Sequence, residues 1–333
     1  LDTVGTDSDG LACLRPHAPT GDPFADTWYY YLNDPAVGYL KIVFLSYVNE
    51  DTAPGTQAAY VHVAHAPLDG PKAEYDHYSP VVVSGPVDSD EPFAFRFEVP
   101  GLVDIDETTL RLTLADVSVQ ASFRGGHRHY FDEPHPAASP FFGPMGALPS
   151  ADSHWFVFTL GTPATYRLET PTASHAGTGL MYAERGWSVQ QALGFCYLMA
   201  VSEEATVVLT CGMPDATTQV WAARVVTANH DLTFLPLSAG AHADADIKPA
   251  DGRVAVSVAN GADEVRVVSQ AALTDFYDQV TPSLTVFHAD HPVAKTMNAR
   301  LDLEIRRDGK VVETVSLPQS ILEFGGVLYP TPR

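Results

Sequence analysis

Short runs of β-branched and aromatic residues, many of them alternating with polar ones, recur along almost the whole chain. Phe93-Ala-Phe-Arg-Phe-Glu-Val99 places Phe93, Phe95, Phe97 and Val99 on one face. Leu301-Asp-Leu-Glu-Ile305 does the same with Leu301, Leu303 and Ile305. A period of two is that of a half-buried strand. The same pattern predicts strands over 38–48, 58–66, 109–114, 117–123, 155–160, 194–201, 206–211 and 219–226. Further strands are predicted over 254–258, 265–269, 299–306, 311–317 and 321–329.

Two dipeptides between such runs signal hairpins: Asn260-Gly261 and Asp308-Gly309. Both supply the positive φ that two-residue β-turns demand. The one helix candidate is 270–280, and it is short. Many short strands at hairpin spacing argue for a sandwich or a barrel. At 333 residues the chain exceeds the usual size of one core, so two domains are expected. The irregular stretch 124–152 is too rich in Gly, Pro and His for a plain linker. The boundary is therefore placed later, giving domains 1–174 and 175–333.

Composition narrows the function. Apolar residues make up 45% and charged residues 18% of the chain, enough to build cores. Forty-one acidic against 19 basic side chains leave a formal charge of −22. Such a surface repels phosphate backbones, so no nucleic-acid partner is expected. No apolar run approaches the ~20 residues of a membrane span. Cys13, Cys196 and Cys211 form no zinc motif and no disulfide framework. Reduced thiols and a cytoplasmic location are expected; one bridge and a processed secreted form are the alternatives.

Candidate chemistry sits in three segments. Asp26-Thr-Trp-Tyr-Tyr-Tyr31 reads as a strand with Trp28 and Tyr30 on one face, Tyr29 and Tyr31 on the other. These aromatics either pack a barrel wall or line a ligand. In Tyr182-Ala-Glu-Arg-Gly-Trp187, alternation puts Tyr182 and Glu184 on one face, Arg185 and Trp187 on the other. A bulge at Gly186 would bring Trp187 round to Glu184. A carboxyl beside Tyr and Trp in an apolar barrel would be desolvated and able to hold a proton; the plainer reading is a solvated Glu184–Arg185 wall. The third segment, His127-Arg-His-Tyr-Phe-Asp-Glu-Pro-His135, puts His127 and His129 on one strand face near Asp132 and Glu133. Metal ligation needs three or four converging ligands, and nothing in the spacing makes these converge, so no metal is expected. His62 and His65, at odd spacing, cannot share a strand face. No phosphate loop and no Gly-x-Ser-x-Gly elbow is present, so no nucleotide cofactor and no common hydrolase site is expected.

Tyr182-Ala-Glu-Arg-Gly-Trp187 resembles the Tyr-x-Glu/Asp-Lys/His-Asn-Trp-Gly signature of a calycin-related superfamily. Its members include carotenoid 1,2-hydratases, tocopherol cyclases, AttH-like proteins and lipocalin-like Diels–Alderases. Asp26-Thr-Trp-Tyr-Tyr30 is similar to the superfamily's N-terminal Glu-x-Trp-Tyr-Phe segment. Ser153-His-Trp155 stands where an x-Trp-Tyr strand precedes the central motif, and Leu322-Glu-Phe-Gly-Gly326 resembles the closing strand. Gly186 replaces the usual Asn, Ser188 the usual Gly, and Phe195-Cys-Tyr-Leu-Met199 the usual Trp-x-Trp-x-Gln.

The resemblance implies an all-β chain of two lipocalin-like antiparallel barrel or sandwich domains. It implies a cofactor-free enzyme for a lipophilic polyene, polyketide or terpenoid, with cyclisation as the first expectation. Glu184, Tyr182 and Trp187 would be catalytic, and Trp28, Tyr30, Trp155, Phe195 and Tyr197 would bind substrate. The rival expectations are a hydratase adding water to an isoprenoid alkene, a non-catalytic binder of a hydrophobic ligand, and a metal enzyme using His127 and His129.

Overall fold

The structure, a computed structural model, describes residues 16–19, 21, 23–86, 95–123, 153–188, 193–236, 238–279 and 293–330. The histidine segment 127–135 and Cys13 lie outside the described residues. The described chain is mostly strand and falls into two units that divide between the eleventh and twelfth strands.

The first unit is built from β1 (Phe24–Asp34), β2 (Gly38–Val48), β3 (Ala58–Pro67), β4 (Ala73–Ser79), β5 (Val83–Pro86), β6 (Phe95–Val99), β7 (Val103–Asp106), β8 (Thr109–Thr113), β9 (Ser118–Ser122), β10 (Ser153–Glu169) and β11 (Ser174–Ser188). They form one 11-stranded antiparallel sheet in the order β4-β3-β2-β1-β11-β10-β9-β8-β7-β6-β5. The sheet curls into a barrel-like unit. Its concave face carries the core: Trp28, Tyr30, Phe44, Phe95, Phe97 and Phe123 are all buried there with aliphatic neighbours. Strand β6 shows the cause, since Phe95, Phe97 and Val99 are buried while Arg96 between them is exposed.

The second unit contains β12 (Gly194–Val201), β13 (Ala205–Met213), β14 (Val220–Thr227), β15 (Asp231–Phe234), β16 (Ala241–Lys248), β17 (Arg253–Asn260), β18 (Asp263–Gln270), β19 (Tyr277–Gln279), β20 (Val293–Arg307) and β21 (Lys310–Gly326). The order is β15-β14-β13-β12-β21-β20-β18-β17-β16, with β19 pairing β20. Leu301, Leu303 and Ile305 lie in its core as the alternation predicts. Cys196 and Cys211 face each other across β12 and β13 as buried free thiols. Burial pushes the Cys211 thiol up to about 12.

Several expectations need correction. The boundary placed at 174/175 falls one residue into β11, yet the first sheet holds that strand between β1 and β10. Its partners are fixed by register, which sequence proximity does not reveal. The helix expected over 270–280 is absent from 270–279: a single 3₁₀ turn at Leu273–Asp275 leads into β19. Phe276 is pinned on Phe324 with ring centroids 5.8 Å apart, and Tyr277 pairs with Lys295, so extended pairing wins over a short helix. The Asp308-Gly309 turn forms as expected, with φ of 51° and 75°. The other hairpin turns one residue late, on Gly261 at φ 63°, because Asn260 still pairs with Asp263. The runs 311–317 and 321–329 merge into one long strand, β21, that continues to Gly326. Among the described residues no helix is long and apolar enough to cross a membrane.

Candidate active site

The chemistry-bearing segments lie side by side. Strand β1 pairs with β11 in unbroken register from Ala25 opposite Ser188 to Asn33 opposite Leu180. Cross-strand partners share a face, so one register sorts every candidate. Asp26, Trp28 and Tyr30 face the core together with Ala183, Arg185 and Trp187. Thr27, Tyr29 and Tyr31 face outward with Tyr182, Glu184 and Gly186. The bulge considered at Gly186 does not form: Thr27 pairs with it on one side and Trp155 on the other. Register shifts occur instead in β10, between Val157 and Thr159 and between Leu160 and Thr162. Trp187 therefore stays beside Arg185 and away from Glu184.

The inward face is a packed core with a buried ion pair. The Trp28 ring stacks on Phe44 and Phe95 at centroid distances of 5.2 and 5.6 Å. Tyr30 lies 5.5 Å from Phe44 and 5.8 Å from Phe123. The Arg185 guanidinium sits 4.3 Å above the Trp28 ring and 5.3 Å from that of Trp187, a cation–π arrangement. It pairs with Asp26, and both side chains are wholly buried. Arg185 Nη2 also donates to His17 Nδ1 at 2.9 Å, and the His17 backbone N–H donates to Asp26 Oδ2 at 2.6 Å. The His17 ring stacks on Trp187 with centroids 3.7 Å apart. Burial pushes the Asp26 carboxyl up, against the pull of Arg185 and of the His17 N–H. Burial likewise raises the Tyr30 hydroxyl, helped by the charge of Asp106.

The outward face holds a different chemistry. Tyr182 Oη donates to Glu184 Oε2 at 2.6 Å, and both residues are buried. Along the row of Glu184 run Val157, Tyr29 and Val43; along the row of Tyr182 run Leu160, Tyr31 and Lys41. The Tyr31 and Tyr182 rings lie 6.0 Å apart. Trp155 stands on the same face one row further, opposite Gly186. Glu184 is thus a carboxyl set among tyrosines, a tryptophan and aliphatic side chains, with the buried Lys41 in the neighbouring row. Such surroundings suit proton transfer to an apolar substrate, because water is scarce and π-faces can stabilise a developing cation. Lys41, fully buried on this face, escaped the sequence reading; a lone lysine amid a hydrophobic run in β2 was its only signal.

Of the residues singled out from the sequence, the structure gathers Tyr182, Glu184 and Trp155 on the outward face. It keeps Trp28, Tyr30 and Trp187 on the inward one. Phe195 and Tyr197 belong to the second unit and share the face of β12 opposite to its core residues Cys196 and Leu198. Phe195 lies over Gly325, where an added Cβ would run into its ring. Tyr197 pairs with Glu323, which forms a buried ion pair with Lys295.

Two solved structures share this architecture. A protein of Nitrosomonas europaea assigned as an AttH matches with a TM-score of 0.50 and 12% identity, over 94% of this chain and 99% of that one. Kievitone hydratase from Nectria haematococca matches with a TM-score of 0.50 and 10% identity, over 99% of this chain and 97% of that one. The chain shares their lipocalin-like fold. At these identities the likeness is one of fold. No family model matches the sequence, and no curated protein is similar to it.

Proposed function

We propose that this lipocalin-like chain is a hydro-lyase that adds water to an alkene of a lipophilic isoprenoid, with Glu184 as its proton donor. The observation that carries the reading is the buried Glu184 carboxyl, bound by Tyr182 Oη at 2.6 Å on an aromatic face. The hydratase among proteins of the same fold supports it.

Glu184 gives its proton to one alkene carbon, and the π electrons form the new C–H bond. The neighbouring carbon becomes cationic and is held against the faces of Tyr29, Tyr31 and Trp155. Water closes the C–O bond and loses a proton, and the carboxyl is restored. Tyr182 fixes the carboxyl so that the proton points one way, which supplies orientation before reaction. Cyclisation is the second reading. The same cation can be trapped by a second double bond of a folded chain, and the aromatic wall favours such folding.

The test uses geraniol, farnesol and geranylgeraniol with wild type and Glu184→Gln. Hydration gives a product heavier by one water; cyclisation gives an isomer of unchanged mass. In D₂O either route places deuterium on carbon. Glu184→Gln should lower turnover by ~10²–10⁴-fold. Wild-type turnover in a folded Glu184→Gln removes the assignment, and recovery of every probe unchanged from the wild type leaves a binding protein.

A further inference from the structure

Two of the chain's three cysteines fill a single cross-strand position in the second unit. Cys196 on β12 lies directly opposite Cys211 on β13, and both side chains are buried in the core of that unit. The hairpin joining these strands closes where the Ser202 backbone N–H donates to Ala205 O at 2.9 Å. Hydrogen-bonded pairs alternate along an antiparallel ladder, so Ala200–Val207, Leu198–Leu209 and Cys196–Cys211 are of that kind. Cα atoms at such positions stand about 5.5 Å apart, inside the range of roughly 4.4–6.8 Å that a disulfide spans. Their Cβ atoms stand roughly 4.5–5.5 Å apart and a disulfide brings them to about 3.8 Å, so each strand has to give by less than about 1 Å. The row continues to Phe324 on one side and to Trp221 on the other, and Leu198 and Leu209 form the next pair on the same face. Such dry, apolar surroundings disfavour a thiolate and accept an uncharged disulfide.

We propose that Cys196 and Cys211 are a redox pair. A disulfide oxidant such as glutathione disulfide joins them across the β12–β13 hairpin as the chain folds, and a reducing setting leaves them as thiols. One cysteine thiolate attacks the S–S bond of the oxidant, which gives a mixed disulfide and releases one glutathione thiolate. The other cysteine thiolate then displaces the second glutathione, and the Cys196–Cys211 bond closes. The cysteines lose two protons and two electrons, and the oxidant takes up both as two glutathione thiols. The timing follows from burial. Burial pushes the Cys211 thiol up to about 12, and it raises Cys196, which also faces Cys211, well above its ordinary value. The thiolate is the attacking species, and at pH 7 a thiol at 12 holds ~10³-fold less of it than one at 9. The folded sheet is therefore slow to close the bond, and closure belongs to the stage when the hairpin is still open to solvent. The two cysteines are brought together by a local hairpin, so they meet before the distant pairing of β12 with β21 is made. Once closed, the bond fixes the β12–β13 register and restricts the unfolded chain, which stabilises the second unit.

The experiment refolds the full chain from denaturant with reduced or oxidised glutathione, alkylates the remaining thiols and maps the peptides by mass. Cys13→Ser, refolded alongside, keeps the third thiol out of the count. Oxidised glutathione should give a cross-linked Cys196–Cys211 peptide and an intact mass lower by two hydrogens, with the strand-rich circular dichroism of the reduced form. The oxidised chain should melt at a higher temperature than the reduced one. That difference should vanish in Cys196→Ala and in Cys211→Ala, whose folding the same spectrum checks. Added to the chain already folded and reduced, oxidised glutathione should close the bond at least ~10²-fold more slowly than during refolding. Two alkylated thiols at these positions after oxidising refolding to the native spectrum overturn the proposal and leave the pair as small packing groups. So does a cross-link confined to chains without the native spectrum, or one that leaves the melting temperature unchanged. Equal rates of closure in folded and refolding chains overturn the assignment of closure to the folding stage.

Discussion

Glu184 and Arg185 are consecutive residues whose side chains leave β11 in opposite directions, one hydrogen-bonded to Tyr182 on the outer face and the other ion-paired with Asp26 in the core. The inner pair ties β11 to β1, and that register sets Glu184 opposite Tyr29. Arg185 and Asp26 are in this sense positioning residues for the carboxyl behind them.

Breaking that pair on one side leaves a buried charge without its partner. Arg185→Met and Asp26→Leu should each cost about 3–5 kcal/mol of stability in denaturant titrations. Asp26→Leu combined with Arg185→Met should cost clearly less than the two single losses together, because an apolar pair leaves no stranded charge. Additive losses would show that the two side chains are not coupled.

Trp28 is wedged between Phe44, Phe95 and the Arg185 guanidinium. Trp28→Ala should destabilise the first unit by about 3–5 kcal/mol through the cavity it opens. Ligand affinity of the protein that remains folded should change little. A fall in affinity at an unchanged thermal midpoint would put Trp28 at a binding surface instead.

Much of this was legible in advance from alternation alone. The opposite faces of Trp28 and Tyr29, of Glu184 and Arg185, and of His62 and His65 all follow from a period of two, and the structure has each of them. The choice of sandwich or barrel followed from strand spacing and turn residues, the expectation of two domains from chain length, and the lipocalin-like build from the resemblance. Register did not. The Asp26–Arg185 pair joins residues 159 apart in sequence, and no local pattern announces such a partner. Gly186 looked like a bulge because glycine often marks one, but both neighbouring strands pair straight through it. The His62–Asp76 pair was hidden for the same reason, since only the β3–β4 register brings the two together.

The pH response of the first unit should carry a histidine signature. His65 faces inward, its ring 5.3 Å from that of His175. Burial, with the nearby His175, lowers it from 6.5 to about 4. Between those two pH values the unfolded chain binds a proton at this position and the folded chain does not. Stability from this group is therefore present above pH 6.5 and is lost as pH falls toward 4, by at most about 3 kcal/mol before solvent screening is subtracted. Thermal midpoints measured from pH 7 to pH 4 should fall less steeply in His65→Leu than in wild type. Parallel curves would refute the assignment.

Gly325 gives way to the Phe195 ring, so Gly325→Ala should cost about 1–3 kcal/mol by overpacking. Adding Phe195→Ala should recover part of that loss, because the obstructing ring is gone. Calorimetry of the two variants and their combination reads the coupling directly, and no recovery would mean that the backbone at Gly325, not the ring, resists the methyl group.

The pairing of β1 with β11 has a consequence for how the molecule is made. Ala25 meets Ser188 only after every strand from β2 to β10 has left the ribosome. At ordinary elongation rates one edge of β1 waits roughly 10–30 s for its neighbour. That edge carries Trp28, Tyr29, Tyr30 and Tyr31, and an unpaired aromatic strand is the kind of segment that other chains adopt. β12 waits in the same way for β21 in the second unit. Nascent chains of this protein should therefore depend on chaperones until the strand that joins the two arms of each sheet is synthesised, and truncation just before β11 should yield an aggregating product instead of a smaller folded unit.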